Sequence, residues 1–179
     1  MSRWNAPRGG PPMLVSEMMT TRVVWIDMDS TLEDVGRMFR QHPFHHLVVM
    51  EATKVVGVIT EHDMLEHVSP FIGKMAERTQ DVASLKRRVH QMMTRELVTT
   101  SPEATVAEAC ETMLNAGVSC LPVVNASKAL LGIVTLRDFA RLAGVLLRKA
   151  EDAGEEPIAS DASIELADEP GEDGGLSAA

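Results

Sequence analysis

The sequence predicts an α+β fold made of two pseudo-symmetric β-α-β-β-α repeats with small sheets packed by helices. Three observations carry that prediction. Met18-Met19-Thr20 returns 74 residues later as Met92-Met93-Thr94. Thr31, Leu47 and Val49 return at the same interval as Thr105, Leu121 and Val123. Gly57, Thr60 and Asp63 return 75 residues later as Gly132, Thr135 and Asp138, so one residue has entered the second hairpin. The period is too long for a solenoid unit, and two copies are too few for an array. Two subdomains packed into one module fit better, with a ligand expected in the cleft between them.

The elements follow in order. Val23 to Ile26 reads as a short strand. Thr31 caps a helix over 32–41, with Asp34 at its third position and Leu32, Val35 and Phe39 on one face. Pro43 ends it. Residues 47–50 and 55–59 are β-branched-rich runs around a four-residue turn, hence a hairpin. A short helix starts at Glu61. The second copy repeats the order. Val98 and Thr99 form the short strand. Thr105 and Glu108 make a capping box before a helix with Val106, Ala109, Cys110 and Met113 on one face. Residues 121–124 and 130–134 form the hairpin. A longer helix over 136–150 closes the repeat, with Leu142, Val145 and Leu146 as an apolar arm.

Residues 13–68 are thus the first repeat and 83–150 the second, joined by a linker over 69–82. Asp81 to Gln91 reads as a helix leading into the second Met-Met-Thr, with Lys86, Arg87 and Arg88 as a solvated basic face. Residues 1–12, rich in Arg, Gly and Pro, are expected to be disordered. The tail 151–179 holds ten Asp and Glu and no Lys or Arg. It has little to bury, so disorder is expected there too.

The net charge of −9 lies in that tail; the remaining 150 residues are close to neutral. No basic field points to nucleic acid. No apolar run reaches the roughly 20 residues that span a bilayer, and the start lacks the apolar stretch of a secretory signal. Cys110 and Cys120 make no disulfide framework. A cytoplasmic address, with no membrane partner, is expected.

Two readings of the Gly-x-x-Thr-x-x-Asp segments stand side by side. In one, Thr60 with Asp63 and Thr135 with Asp138 are capping boxes, each preceded by a glycine that lets backbones approach. In the other, the helix N-terminus and Thr hydroxyl meet phosphate, and the Asp carboxylate accepts from ribose hydroxyls. Five of the six histidines (His42, His45, His46, His62 and His67) lie in the first repeat. None matches a recognised zinc spacing, so no metal site is assigned. No nucleophile motif surrounds either cysteine, and no phosphate-loop, hydrolase or zinc-protease motif is present. No catalytic residue is assigned.

The doubled Met-Thr and Gly-x-x-Thr-x-x-Asp segments resemble the CBS domain pair, or Bateman module, over about residues 14–68 and 83–145. The resemblance independently implies β-α-β-β-α repeats. It also implies ligand-binding roles for Thr60 and Asp63 in one site and for Thr135 and Asp138 in the other. It implies base pockets lined by Val23, Val24 and His45 to Leu47 on one side. On the other, Leu97 to Thr100 and Ser119 to Pro122 are expected, so Thr99, Cys120 and Pro122 join His46 and Val24 as candidate contacts. Arg137 beside Asp138 suits phosphate, and its counterpart His62 suits it less near neutral pH. The second site is therefore expected to be the better phosphate binder.

The implied function is a regulatory, non-enzymatic module that needs no cofactor. AMP, ADP and ATP are the first candidate ligands, with NAD and S-adenosylmethionine behind them. A homodimer through helical faces and a separate regulated protein are expected. The alternatives are a dimerisation scaffold with degenerate sites and a metal-dependent enzyme using the His-rich first repeat.

Overall fold

A computed structural model describes residues 11–76 and 78–154. The expected disordered ends fall outside these residues, apart from 11–12 and 151–154. The chain runs α1 (Val15–Met18), β1 (Trp25–Asp27), α2 (Leu32–Gln41), β2 (His46–Glu51), β3 (Lys54–Thr60), α3 (Glu61–His67) and α4 (Thr79–Ser84). A 3₁₀ turn (Val89–Gln91) follows, then α5 (Val106–Ala116), β4 (Cys120–Val124), β5 (Leu130–Thr135) and α6 (Leu136–Asp152). The α+β architecture is the one expected. Residues up to Leu142 form one unit; from Ala143 a second unit carries the C-terminal part of α6, where Val145, Leu146 and Leu147 are exposed.

The first sheet has the order β1-β2-β3, with β1 parallel and β3 antiparallel to β2. The second is the antiparallel pair β4-β5. Its expected first strand at Val98 and Thr99 is reduced to one parallel bridge between Thr100 and Val123. There the Thr100 N–H donates to the Pro122 carbonyl and the Val124 N–H to the Thr100 carbonyl. The extra residue of the second copy is absorbed in the turn before β5. The Asn125 Oδ1 organises that turn by accepting from the N–H groups of Ser127 and Ala129.

The expected helix over 81–91 stops early, at Ser84. The carbonyls of Leu85 and Arg87 accept the N–H groups of Glu33 and Leu32 instead. Those are orphan donors of the first turn of α2, which need partners from outside the helix. Thr31 completes the end as expected: its Oγ1 accepts the Asp34 N–H, and Asp34 Oδ2 accepts from Thr31 N–H and Oγ1. The hydrogen bonds from Thr31 hold the Asp34 carboxyl below its usual range.

Packing does not follow the sequence repeats. The core under the first sheet joins Ile26, Leu32, Val35, Phe39, Leu47, Val49 and Ile59 to Val89, Met92 and Met93, which come from the start of the second copy. The second core joins Ala109, Met113, Leu121, Val123 and Val134 to Val15 from the start of the first, with Met18 and Met19 packed beside it. Backbone pairing seals the exchange: Thr94 bridges Val58 and Thr20 bridges Ile133. Val89 and Val15 are fully buried, each worth about 1.5–3 kcal/mol in the partner half. A third cluster fastens the two sheets together. It holds Val48, Met50 and Val55, with Val23, Leu97, Val124, Leu130 and Ile133 against them.

Candidate functional site

The same local chemistry ends both hairpins. Thr60 closes β3 and caps α3: Asp63 Oδ2 accepts from the Thr60 N–H at 2.7 Å and from its Oγ1 at 2.8 Å, while Thr60 Oγ1 accepts the Asp63 N–H at 3.1 Å. Asp138 Oδ2 takes the corresponding bonds from Thr135 N–H at 2.9 Å and Oγ1 at 2.7 Å. Thr60 with Asp63 is a reciprocal helix cap; at Thr135 the two bonds to Asp138 Oδ2 are present. One difference separates them. Asp63 Oδ1 has no hydrogen-bond partner among the described residues, whereas Asp138 Oδ1 lies 3.6 Å from Arg141 Nη1.

The Met-Thr crossings explain the glycines. A Cβ on Gly57 would stand 3.0 Å from the Thr94 carbonyl oxygen, and one on Gly132 would stand 3.1 Å from that of Thr20. Only a residue without a side chain lets the crossing backbone pass. The crossing at Gly57 carries Thr94, Glu96, Leu97 and Val98 to the end of β3, where Thr60 sits.

The result is a cleft of about 200 Å³. His46 and Thr60, paired at the ends of β2 and β3, form one wall with Val58. Thr94, Glu96, Leu97 and Val98 form the second, and Gly117, Val118, Ser119 and Cys120 the third. His46 Nε2 meets Ser119 Oγ across it at 2.6 Å. Burial lowers the His46 pKa; His45 and the Arg137 guanidinium add to this, against an opposing pull from Asp63. Burial pushes the Cys120 thiol up to about 11, so it stays protonated at neutral pH. The lining is mainly apolar, with His46, Thr60, Thr94, Glu96 and Ser119 as its polar side chains.

Of the residues expected from sequence, Thr60, His46 and Cys120 face this cleft, and Asp63 stands behind Thr60. The expected division of the linings is corrected. His46 shares one cleft with Leu97, Val98, Ser119 and Cys120, because the crossing segment and the loop before β4 both reach the end of the first sheet. Val24 packs against the first core instead. Thr99 is exposed, and Pro122 is buried within β4. His62 is 79% exposed and pairs with Glu66 at 3.2 Å. Arg137, expected at phosphate, donates from Nη1 to the Pro43 carbonyl at 3.2 Å. Thr94, Glu96 and Val118 were not singled out from sequence. The repeated Met-Thr was the available signal for Thr94, but its target strand was not legible.

The remaining histidines have separate partners. His42 stacks on Phe44, His45 Nδ1 meets Glu61 Oε2 at 2.7 Å, and His67 Nδ1 meets the Asp63 carbonyl at 2.8 Å. Among the described residues no three His, Cys, Asp or Glu side chains are grouped to hold a metal, and no helix is long and apolar enough to cross a membrane.

The CBS domain profile matches residues 15–70 and 89–144. An uncharacterised 17.7 kDa protein of Acidianus ambivalens is 30% identical over 128 residues, 71% of each chain. The chain spans less of two others: 43% of an uncharacterised protein of Methanocaldococcus jannaschii and 23% of an L-aspartate semialdehyde sulfurtransferase of Methanosarcina acetivorans. Among solved structures, the CBS domain pair of protein MJ0100, in complex with 5′-methylthioadenosine and S-adenosyl-L-methionine, aligns with a TM-score of 0.64 at 23% identity. The alignment covers 76% of this chain and 99% of that one. CBSX2 in complex with AMP aligns with a TM-score of 0.63 at 22% identity, with the same coverage. At these identities the likeness is one of fold.

Proposed function

The chain belongs to the CBS-domain family, and from that premise we propose that it is a regulatory module whose cleft binds an adenosine-containing ligand and whose liganded state is read by a separate protein. The observation that carries this is the cleft itself, which gathers Thr60, His46, Leu97, Val98, Val118 and Cys120 from three distant segments. The base would lie between Val58, Leu97, Val98 and Val118. The ribose would meet Thr60 and the free Oδ1 of Asp63, which accepts hydroxyl protons without disturbing the cap. Thr135 and Asp138, with Arg137 released from Pro43, would serve a second ligand. The neighbours solved with AMP and with S-adenosylmethionine support adenosine compounds as the class. For the module as a whole, over its two Thr–Asp sites, AMP, ADP and ATP are the first candidates, with NAD and S-adenosylmethionine behind them.

Because the cleft is walled by both halves, a ligand that prefers one arrangement of the halves shifts their population. A homodimer would present that change to the partner. Leu114, 69% exposed on α5, supports a helical docking face.

Thermal unfolding with each candidate, beside an Asp63→Ala/Asp138→Ala variant, tests the reading. A ligand at about 100 times its dissociation constant adds roughly 2.7 kcal/mol. Stabilisation that disappears in the variant is expected. No shift with any compound leaves the scaffold reading, which one observation favours: each Thr hydroxyl already donates to the Asp three residues on.

A further inference from the structure

We propose that Glu96 sets the charge class of ligand in the Thr60 cleft, admitting neutral or cationic nucleosides and rejecting polyphosphates. This rests on the adenosine reading above and adds to it a choice among ligands. No Lys or Arg lines the cleft; its one charged lining residue is Glu96. That carboxylate is exposed and makes no ion pair or hydrogen bond among the described residues. The nearby cations are tied elsewhere. Arg95 Nη2 donates to the His90 carbonyl at 2.8 Å, and Arg137 is held on Pro43. Asp63 adds a second negative charge behind Thr60. A phosphate chain entering here meets the Glu96 carboxylate; the one guanidinium near enough to act on His46, that of Arg137, is held on the Pro43 carbonyl, and like-charge juxtaposition at Glu96 opposes binding. A neutral thioether nucleoside meets no such penalty, and a sulfonium nucleoside is attracted.

The other copy reverses the sign. At the 74-residue interval Glu96 corresponds to Arg22. Gly117, which lines the cleft, corresponds to Pro43, the residue that holds Arg137. By the repeat, Arg22 takes the place in the other copy that Glu96 takes here, and Arg137 follows Thr135 by two residues. The pseudo-symmetric pair is divided by charge, with Glu96 as the dividing residue.

The test is calorimetric titration of the full chain with 5′-methylthioadenosine, S-adenosylmethionine and ATP. The His46 imidazole resonances report occupancy of this cleft. In the unaltered protein the first two compounds are expected to move His46 and ATP to leave it unmoved. Glu96→Gln should raise ATP affinity at this cleft at least about tenfold, and Glu96→Arg further, while 5′-methylthioadenosine changes by less than about twofold. Binding of the nucleosides with an ATP-to-nucleoside ratio unaltered by either substitution overturns the proposal and leaves the adenosine reading standing. Failure of all three compounds to move His46 overturns both. Because Glu96 is exposed and unpaired, both variants are expected to fold, and an unchanged melting temperature checks this.

Discussion

Met93 lies over Gly57 so closely that a Cβ on the glycine would stand 2.5 Å from the Met93 Sδ; Met19 stands in the same relation to Gly132, at 2.6 Å. The two repeated motifs are therefore one device. The Met-Thr of each copy crosses the Gly-x-x-Thr-x-x-Asp hairpin of the other and delivers the residues after it to the cap.

Gly57→Ala should destabilise the protein by about 1–3 kcal/mol through overpacking. Adding Met93→Ala should recover only part of the loss, because the Thr94 carbonyl oxygen remains 3.0 Å away. Urea titration of the single and double variants measures both effects. An unchanged midpoint in Gly57→Ala would refute the close crossing.

The exchange also predicts where the chain can be cut. A fragment over 21–96 keeps Val89, Met92 and Met93 with the sheet they pack against. A fragment over 11–84 follows the first sequence repeat and lacks them. The first should melt more cooperatively, since losing several large core side chains costs several kcal/mol. Calorimetry of the two fragments decides it, and equal behaviour counts against the exchanged packing.

His46 predicts a pH dependence. Its folded pKa is depressed below 6.5 by burial. Between the folded value and 6.5 the unfolded chain binds more protons, so stability rises with pH in that window. The contribution is fully present above about 6.5 and is lost as pH falls toward the folded value. Denaturant titrations from pH 7.5 to 5 should therefore show a slope that flattens in His46→Gln. A profile identical in both proteins would rule His46 out as its source.

Cys120, with its thiol pushed up to about 11 and only 7% exposed, should resist iodoacetamide at pH 8 in the folded protein. It should label readily once the chain is unfolded in urea. Mass spectrometry of native and unfolded samples distinguishes the two states. Rapid native labelling would mean that the third wall of the cleft opens.

Much of the fold was legible because it is local. Thr31, Thr60 and Thr105 each stand three residues before an acid, and each caps a helix. The hairpins followed from β-branched runs around polar turns. The errors fell where a distant partner outcompeted local preference. The helix expected over 81–91 lost carbonyls to the first turn of α2. The strand expected at Val98 and Thr99 kept only one bridge, at Thr100.

The sequence by itself determined two repeats, most of their elements and the Thr31, Thr60 and Thr105 caps, because these depend on spacing within a few residues; Thr60, His46 and Cys120 entered as candidate site residues through the resemblance to the CBS family. Only the tertiary structure decided which hairpin each Met-Thr segment crosses. Gly57 and Gly132 offer the same gap, so the two routes are indistinguishable in sequence. Packing chose the exchanged route, burying Val15 in one half and Val89 in the other. That choice carried Glu96 to the cleft at Thr60, and placed an unpaired carboxylate where local reasoning had no cause to look for one.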